Sequence, residues 1–188
     1  NNKEYERMSI MFIDYSLCPY SHYFSTQMYN SYGYPYYNLA NTPMYDTNYS
    51  MQTIRLKDYG PDPFVIDIEE ATKQNNTFRT ALWTGKHLQL TLMSINVGED
   101  IGLEIHHNVD QFIRIEEGQG LVLMGDSKDN LNFRRRVDDN YVVFIPAGKW
   151  HNLINTGHRP LKLYSIYAPP EHPHGTVHKT KKEAEEHH

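Results

Sequence analysis

Apolar and polar residues alternate along the middle of the chain with a period of two. Leu88, Leu90 and Leu92 are separated by Gln89 and Thr91. A β-strand directs successive side chains to opposite faces, whereas a helix repeats its apolar face every three to four residues. The pattern therefore predicts half-buried strands and not amphipathic helices.

Similar alternating runs recur as far as residue 167, with turn residues between them. The predicted strands cover residues 64–68, 78–84, 88–92, 103–106, 111–116, 119–124, 131–137, 141–145, 151–155 and 161–167. Short helices are expected at residues 69–75 and 180–186. Many short strands at hairpin spacing are typical of an antiparallel sandwich or barrel, so the predicted fold class is all-β.

The composition of the chain changes near residue 60. Residues 15–50 contain ten tyrosines, a single charged residue and few aliphatic side chains. Such a segment lacks the side chains that an aliphatic core requires. We therefore expect three parts: a Tyr/Asn/Pro/Met-rich N-terminal arm at 1–60, a barrel at 61–170 and a His/Lys/Glu-rich tail at 171–188.

Charge and cysteine content exclude several classes of protein. Eighteen basic and 23 acidic residues give a formal net charge of −5, so we expect no nucleic-acid partner. Cys18 is the single cysteine, which excludes a disulfide framework or a Cys-rich metal cluster within one chain. The apolar run at residues 8–13 is too short for a signal sequence or a membrane span. We expect no membrane partner and a cytoplasmic location.

Histidine, glycine and acidic or amide residues recur at fixed spacing in two stretches. The first stretch reads GEDIGLEIHHNVDQFIRIEEG, and its spaced positions are Gly98, Glu104, His106, Gln111 and Gly118. The second stretch reads NYVVFIPAGKWHNLIN, and its spaced positions are Asn140, Pro146, Gly148, His151 and Asn155.

These two stretches resemble the two motifs of the cupin superfamily, G(x)5HxH(x)3–4E(x)6G and G(x)5PxGxxHxxxN. Glu104 stands where the family usually has its first His, and Gln111 stands where it usually has Glu. Asn140 replaces a leading Gly and is able to supply the same positive φ in a turn. The resemblance implies a single cupin barrel (a double-stranded β-helix or jelly roll) with an extended N-terminal arm and a short C-terminal helix.

The resemblance also implies a metal site. Glu104 and His106 are two residues apart on a predicted strand and so project from the same face. The ligands implied for one divalent metal ion are Glu104, His106, Gln111 and His151. Two imidazoles and one carboxylate suit Zn, Mn or Fe(II).

Two alternatives stay open for this ligand set. Gln111 either ligates the metal or hydrogen-bonds a bound water. If the register shifts by one residue, His107 and Asp110 become the substitutes. Glu104 is also the candidate catalytic residue, because a ligand carboxylate is able to move protons.

The resemblance implies a functional class as well. Single-domain cupins of this type are grouped with mannose-6-phosphate isomerases, which favours an isomerase-like enzyme acting on a sugar phosphate or other small polar carbonyl compound. The zinc site of the larger isomerases uses a Gln, a Glu and two His. Relative to that pattern Glu104 and Gln111 are interchanged. The resemblance further implies a homodimer.

Two alternatives do not require catalysis. The Tyr-rich composition of residues 1–60 is similar to that of spore-coat and surface-assembly proteins, in which case these residues drive higher-order assembly at the spore or cell surface. Alternatively, the barrel is a small-molecule-binding module.

Overall fold

The computed structural model describes residues 53–186 and, before them, the backbone of two short strands. These are β1 (Met28–Tyr29) and β2 (Pro35–Tyr36), which pair as a two-stranded antiparallel sheet. The chain divides into two units, Asn1–Ser50 and Met51–His188. The predicted N-terminal arm at 1–60 covers the first unit and the start of the second. Apart from β1 and β2, its residues 1–52 lie outside the described residues.

The described part of the second unit contains ten strands and two helices. The strands are β3 (Arg79–Thr84), β4 (Gln89–Ile95), β5 (Glu104–Ile105), β6 (Asp110–Glu117), β7 (Gly120–Gly125), β8 (Phe133–Val137), β9 (Val142–Ile145), β10 (Trp150–Asn155), β11 (Leu161–Ala168) and β12 (Val177–His178). The helices are α1 (Ile68–Gln74) and α2 (Lys181–Glu185). Neither helix has the length and apolar character that a membrane span requires.

The strands form two antiparallel sheets. One sheet has four strands in the order β5-β10-β7-β8, and the other has six in the order β12-β3-β4-β11-β6-β9. All neighbouring strands within them run antiparallel. This arrangement confirms the predicted all-β jelly roll with a short C-terminal helix.

Apolar residues from both sheets form the core of the barrel. The side chains of Ile113 and Leu163 in the six-stranded sheet and of Leu153 in the four-stranded sheet are at most 1% exposed and belong to one buried cluster. Strand alternation explains this core, because every second residue of each strand faces the opposite sheet.

A second apolar cluster lies beneath α1. It consists of Ala71, Leu82 and Leu92, and partly buried side chains pack against it, among them Ile54 and Leu56. Apolar residues before residue 61 are therefore part of the folded unit. At the other end, β12 joins the six-stranded sheet by pairing with β3, so a segment after residue 170 also belongs to a sheet.

The predicted strand at residues 64–68 is wrong. Residues 64–67 pair with no strand among the described residues, and Ile68 already begins α1. Asp67 ends the extended segment because its side chain accepts a hydrogen bond from the Glu70 N–H (3.0 Å) and so caps the helix. Phe64 instead stacks on the ring of Tyr59 at a centroid distance of 4.0 Å.

Candidate metal centre

Strands β5 and β10 bring two of the predicted ligands face to face. Glu104 lies directly opposite His151 in the antiparallel register, so the two side chains project from the same face of the sheet. His106 follows Glu104 by two residues and lies on the same side. The Gly148 N–H donates to the His106 carbonyl (2.8 Å), which ties the end of β5 to the turn before β10.

The potential ligand atoms of these three residues converge. Glu104 Oε1 lies 3.3 Å from His151 Nε2 and 3.5 Å from His106 Nε2, and all three atoms lie within 4.8 Å of one another. They are buried and have no well-oriented hydrogen-bond partner among the described residues. A cation bound at about 2.0–2.2 Å holds neighbouring ligand atoms about 3.0–3.5 Å apart, and both distances from Glu104 Oε1 to the imidazole nitrogens fall in this range.

The second nitrogen of each imidazole contacts an oxygen atom outside the cluster. His106 Nδ1 lies 3.1 Å from Glu171 Oε1, and His151 Nδ1 lies 3.0 Å from the Lys149 carbonyl oxygen. When Nδ1 carries the proton and donates to that oxygen, the Nε2 lone pair faces Glu104. Both rings are thus oriented as ligands by partners on their far side.

Charge and burial act together on this cluster. Burial by itself would raise the pKa of Glu104, but the two adjacent imidazoles favour the carboxylate and bring this pKa well below its ordinary value. Burial would lower the pKa of His106, whereas the carboxylates of Glu104 and Glu171 raise it. A proton and a divalent cation therefore compete for His106 Nε2.

Gln111 lies on the facing, six-stranded sheet. It pairs with Tyr167 across the β6–β11 ladder, and the Tyr167 ring meets the His106 ring edge-on at 5.6 Å. The Gln111 amide nitrogen donates to Ser165 Oγ (2.9 Å), which fixes the orientation of the amide. Its Oε1 is buried without a partner among the described residues. The role of Gln111 as a fourth ligand stays a prediction.

A one-residue shift in register would make His107 and Asp110 the substitute ligands, but both lie away from the Glu104–His106–His151 cluster. His107 is exposed, and the carboxylate of Asp110, also exposed, accepts a hydrogen bond from the Ala147 N–H (2.9 Å). Neither residue belongs to the cluster of potential ligands in the described part of the chain.

A cavity of about 340 Å³ opens beside the cluster. Its lining includes Glu104, His106, Arg79, Glu171 and Lys181. Arg79 and Glu171 lie outside both motif stretches, so the sequence pattern did not predict their place at the cavity. Two prolines precede Glu171 and indicate a rigid segment there, but they do not indicate that this segment reaches the cluster.

A family model supports the resemblance of the two stretches. The model of the cupin domain family Cupin_2 matches residues 91–167. This region contains all four predicted ligand positions.

Relatives match a larger part of the chain. The protein YrkC of Bacillus subtilis (strain 168) is 68% identical over 138 residues, which cover 73% of this chain and 74% of YrkC. The protein L612 of Acanthamoeba polyphaga mimivirus is 41% identical over 115 residues, covering 61% of this chain and 70% of L612.

A solved structure matches as well. The crystal structure of BH2720 from Bacillus halodurans is 67% identical in sequence, with a TM-score of 0.69, and the match covers 69% of this chain and 98% of that one. Two motif stretches at cupin spacing, a jelly roll of two antiparallel sheets and the family match at residues 91–167 lead to one conclusion: the chain belongs to the cupin superfamily.

Proposed function

We propose that this chain binds one divalent metal ion through Glu104, His106 and His151, with Gln111 as fourth ligand. We propose further that it acts as an isomerase-like enzyme on a sugar phosphate or other small polar carbonyl compound. The observation that carries the proposal is the convergence of three buried ligand atoms that have no well-oriented hydrogen-bond partner. Leaving buried polar atoms unsatisfied is costly, and a cation satisfies all three at once.

The residues around the cluster support this proposal. A bound Zn, Mn or Fe(II) ion supplies Lewis acidity to a substrate oxygen. Glu171 and the Lys149 carbonyl hold the two imidazoles in place. Glu104 lines the cavity beside both imidazoles, so its carboxylate is our candidate for accepting a proton from a substrate.

The first test is the metal content of untagged protein purified without added metal. We expect about one Zn, Mn or Fe per chain in the wild type and a small fraction of that in Glu104→Gln, His106→Ala and His151→Ala. His107→Ala is the matched control, because this exposed histidine is adjacent in sequence but lies outside the cluster. Wild-type protein that folds, binds no added Zn, Mn or Fe and loses nothing in the variants would contradict the proposal.

Activity is tested only after the metal is identified. The loaded and the chelator-treated protein are compared on a panel of sugar phosphates and uncharged sugars, with isomerisation followed by NMR. Turnover that depends on metal and disappears in His106→Ala supports the isomerase-like function. A loaded protein that binds these compounds without converting them favours the small-molecule-binding module instead.

A further inference from the structure

Arg79 is a buried arginine without a counterion in the described part of the chain. It is the first residue of β3 and is 1% exposed. Its Nε and Nη1 atoms are buried and have no hydrogen-bond partner among the described residues. Its guanidinium lies over the Phe78 ring at 5.6 Å from the centroid. An aromatic face offsets only part of the desolvation of a buried cation, so this position favours an anion.

An anion bound to Arg79 would lie near the Glu104–His106–His151 cluster. Arg79 lines the same cavity as Glu104 and His106. Tyr167 is fully buried, and its ring meets the His106 ring edge-on at 5.6 Å. Burial raises the pKa of Tyr167, and the nearby positive charge of Arg79 acts in the opposite direction. A buried guanidinium is therefore left unpaired beside the candidate ligands.

The other charged residues of the cavity already have partners. Lys181 forms ion pairs with Asp100 (2.6 Å) and Glu185 (3.8 Å), and Glu171 contacts His106. Among the described residues that line the cavity, Arg79 is thus the cation that no ion pair uses.

We propose that Arg79 binds the carboxylate of a small organic acid, while the Glu104–His106–His151 cluster faces another oxygen of the same molecule. This inference narrows the proposed function, because it favours a small polar compound that carries a carboxylate over a sugar phosphate. It rests on that function for the role of the metal. The guanidinium binds a carboxylate through charge-assisted N–H···O bonds, and its buried Nε and Nη1 atoms have no hydrogen-bond partner among the described residues.

A carboxylate fits this cavity better than a phosphate dianion does. Glu104, Glu171 and Glu185 also line the cavity. They repel a dianion more strongly than a monoanion, whereas Arg79 supplies one unpaired positive charge. A single carboxylate is therefore the anion that the described charges balance.

The test follows the Arg79 Nε–H resonance by NMR while acetate, glycolate or inorganic phosphate is titrated into the protein at constant ionic strength. Both chelator-treated and metal-loaded protein are used. We expect acetate and glycolate to shift this resonance, with glycolate binding more tightly to the loaded protein because its hydroxyl reaches the metal. No shift with either acid, or a shift with phosphate alone, would overturn the proposal.

Substitutions give an independent readout by calorimetry. Arg79→Gln should weaken glycolate binding by about 10- to 100-fold, which is the loss of a charge-assisted hydrogen-bond pair, and Arg79→Lys should recover part of it. Arg134→Gln, which removes an exposed arginine of β8, changes the net charge equally and should bind as the wild type does. Equal binding by folded Arg79→Gln and wild type contradicts the inference. If Arg79→Gln does not fold, the titration of the wild type decides alone.

The two proposals fail separately. If the protein holds no metal but acetate still shifts the Arg79 resonance, the anion site stands and the proposed function falls. If the metal binds and organic acids leave Arg79 unchanged, the anion site falls and the metal proposal stands.

Discussion

Glu171 reaches the Glu104–His106–His151 cluster from outside both motif stretches. Its Oε1 lies 3.1 Å from His106 Nδ1, on the side of the ring away from Glu104. A carboxylate in this position fixes the tautomer and the orientation of an imidazole ligand and raises its basicity. Glu171 is therefore a positioning residue for His106.

We predict that Glu171→Gln weakens metal binding without abolishing it. The amide keeps the size of the side chain but loses the charge, so affinity should fall by about 10- to 100-fold. Competition with a chromogenic chelator measures this change. Glu185→Gln removes a carboxylate that lines the same cavity but pairs with Lys181 and not with a histidine of the cluster, so it should change affinity much less. Equal losses in the two variants would mean that only the charge of the cavity matters.

Asp58 joins three separate parts of the folded unit. Its carboxylate accepts hydrogen bonds from the N–H groups of Gly60 (3.0 Å), Thr84 (2.9 Å) and Gly175 (2.9 Å). Burial by itself raises the pKa of Asp58, but the Thr84 hydroxyl, the N–H groups of Gly175 and Gly60 and the nearby His174 bring it below its ordinary value of 3.8. The ionised form is thus the one that stabilises the fold.

The stabilisation by Asp58 should depend on pH in a defined direction. Because the pKa is lower in the folded than in the unfolded protein, the contribution is complete above about pH 5 and is lost as the pH falls below about 4. Asp58→Asn should lower the free energy of unfolding by about 1–3 kcal/mol at pH 7 and by less at pH 3. Urea unfolding of chelator-treated protein measures both values. Asp62→Asn, at an exposed position, is the control. If the loss of unfolding free energy in Asp58→Asn grew as the pH fell, the role of the ionised Asp58 carboxylate would be refuted.

At the scale of elements, the turn before β9 contains Asn140, which stands in place of the leading glycine of the second motif. Asn140 has a φ of 70°, so it adopts the left-handed conformation that the glycine of the family motif provides. Asparagine tolerates this conformation better than other residues with a Cβ atom. Its side chain also accepts a hydrogen bond from Arg114 (3.0 Å), in an exposed position.

Substitutions of Asn140 should therefore separate conformation from contact. We expect Asn140→Ala to lower the free energy of unfolding by about 1 kcal/mol and Asn140→Gly to change it by less, although both lose the contact with Arg114. Chemical denaturation measures the difference. If glycine proved as destabilising as alanine, the lost contact and not the backbone would be the cause.

At the scale of the whole molecule, the homodimer and the assembly role of residues 1–60 stay predictions. Deletion of residues 1–52 tests the second of them. It spares Ile54, whose N–H donates to Gln74 Oε1 (2.8 Å) within the folded unit. We expect the deletion to abolish higher-order association and to leave the dimer and the metal content unchanged. Sedimentation velocity compares the two proteins, and an unchanged profile would rule out an assembly role.

Local patterns in the sequence determined the fold class and the neighbourhood of three candidate ligands. Alternation with a period of two identifies strands because side chains of a strand alternate between faces whatever the strand pairs with. The same rule places Glu104 and His106 on one side. The motif spacing added His151, which the register sets opposite Glu104.

Only the tertiary structure decided the pairing of residues 64–67 and the positions of Glu171 and Arg79, because these features depend on contacts between residues far apart in sequence. Residues 64–66 form an apolar run that is typical of a strand. A strand exists only where a neighbour supplies hydrogen bonds, and here none of the described strands pairs with residues 64–67. Glu171 and Arg79 carry no local signal of their roles. They reach the candidate centre because β11 leads into the segment that contacts His106 and because β3 lines the same cavity. The roles proposed for them follow from the packing of the two sheets and not from spacing along the chain.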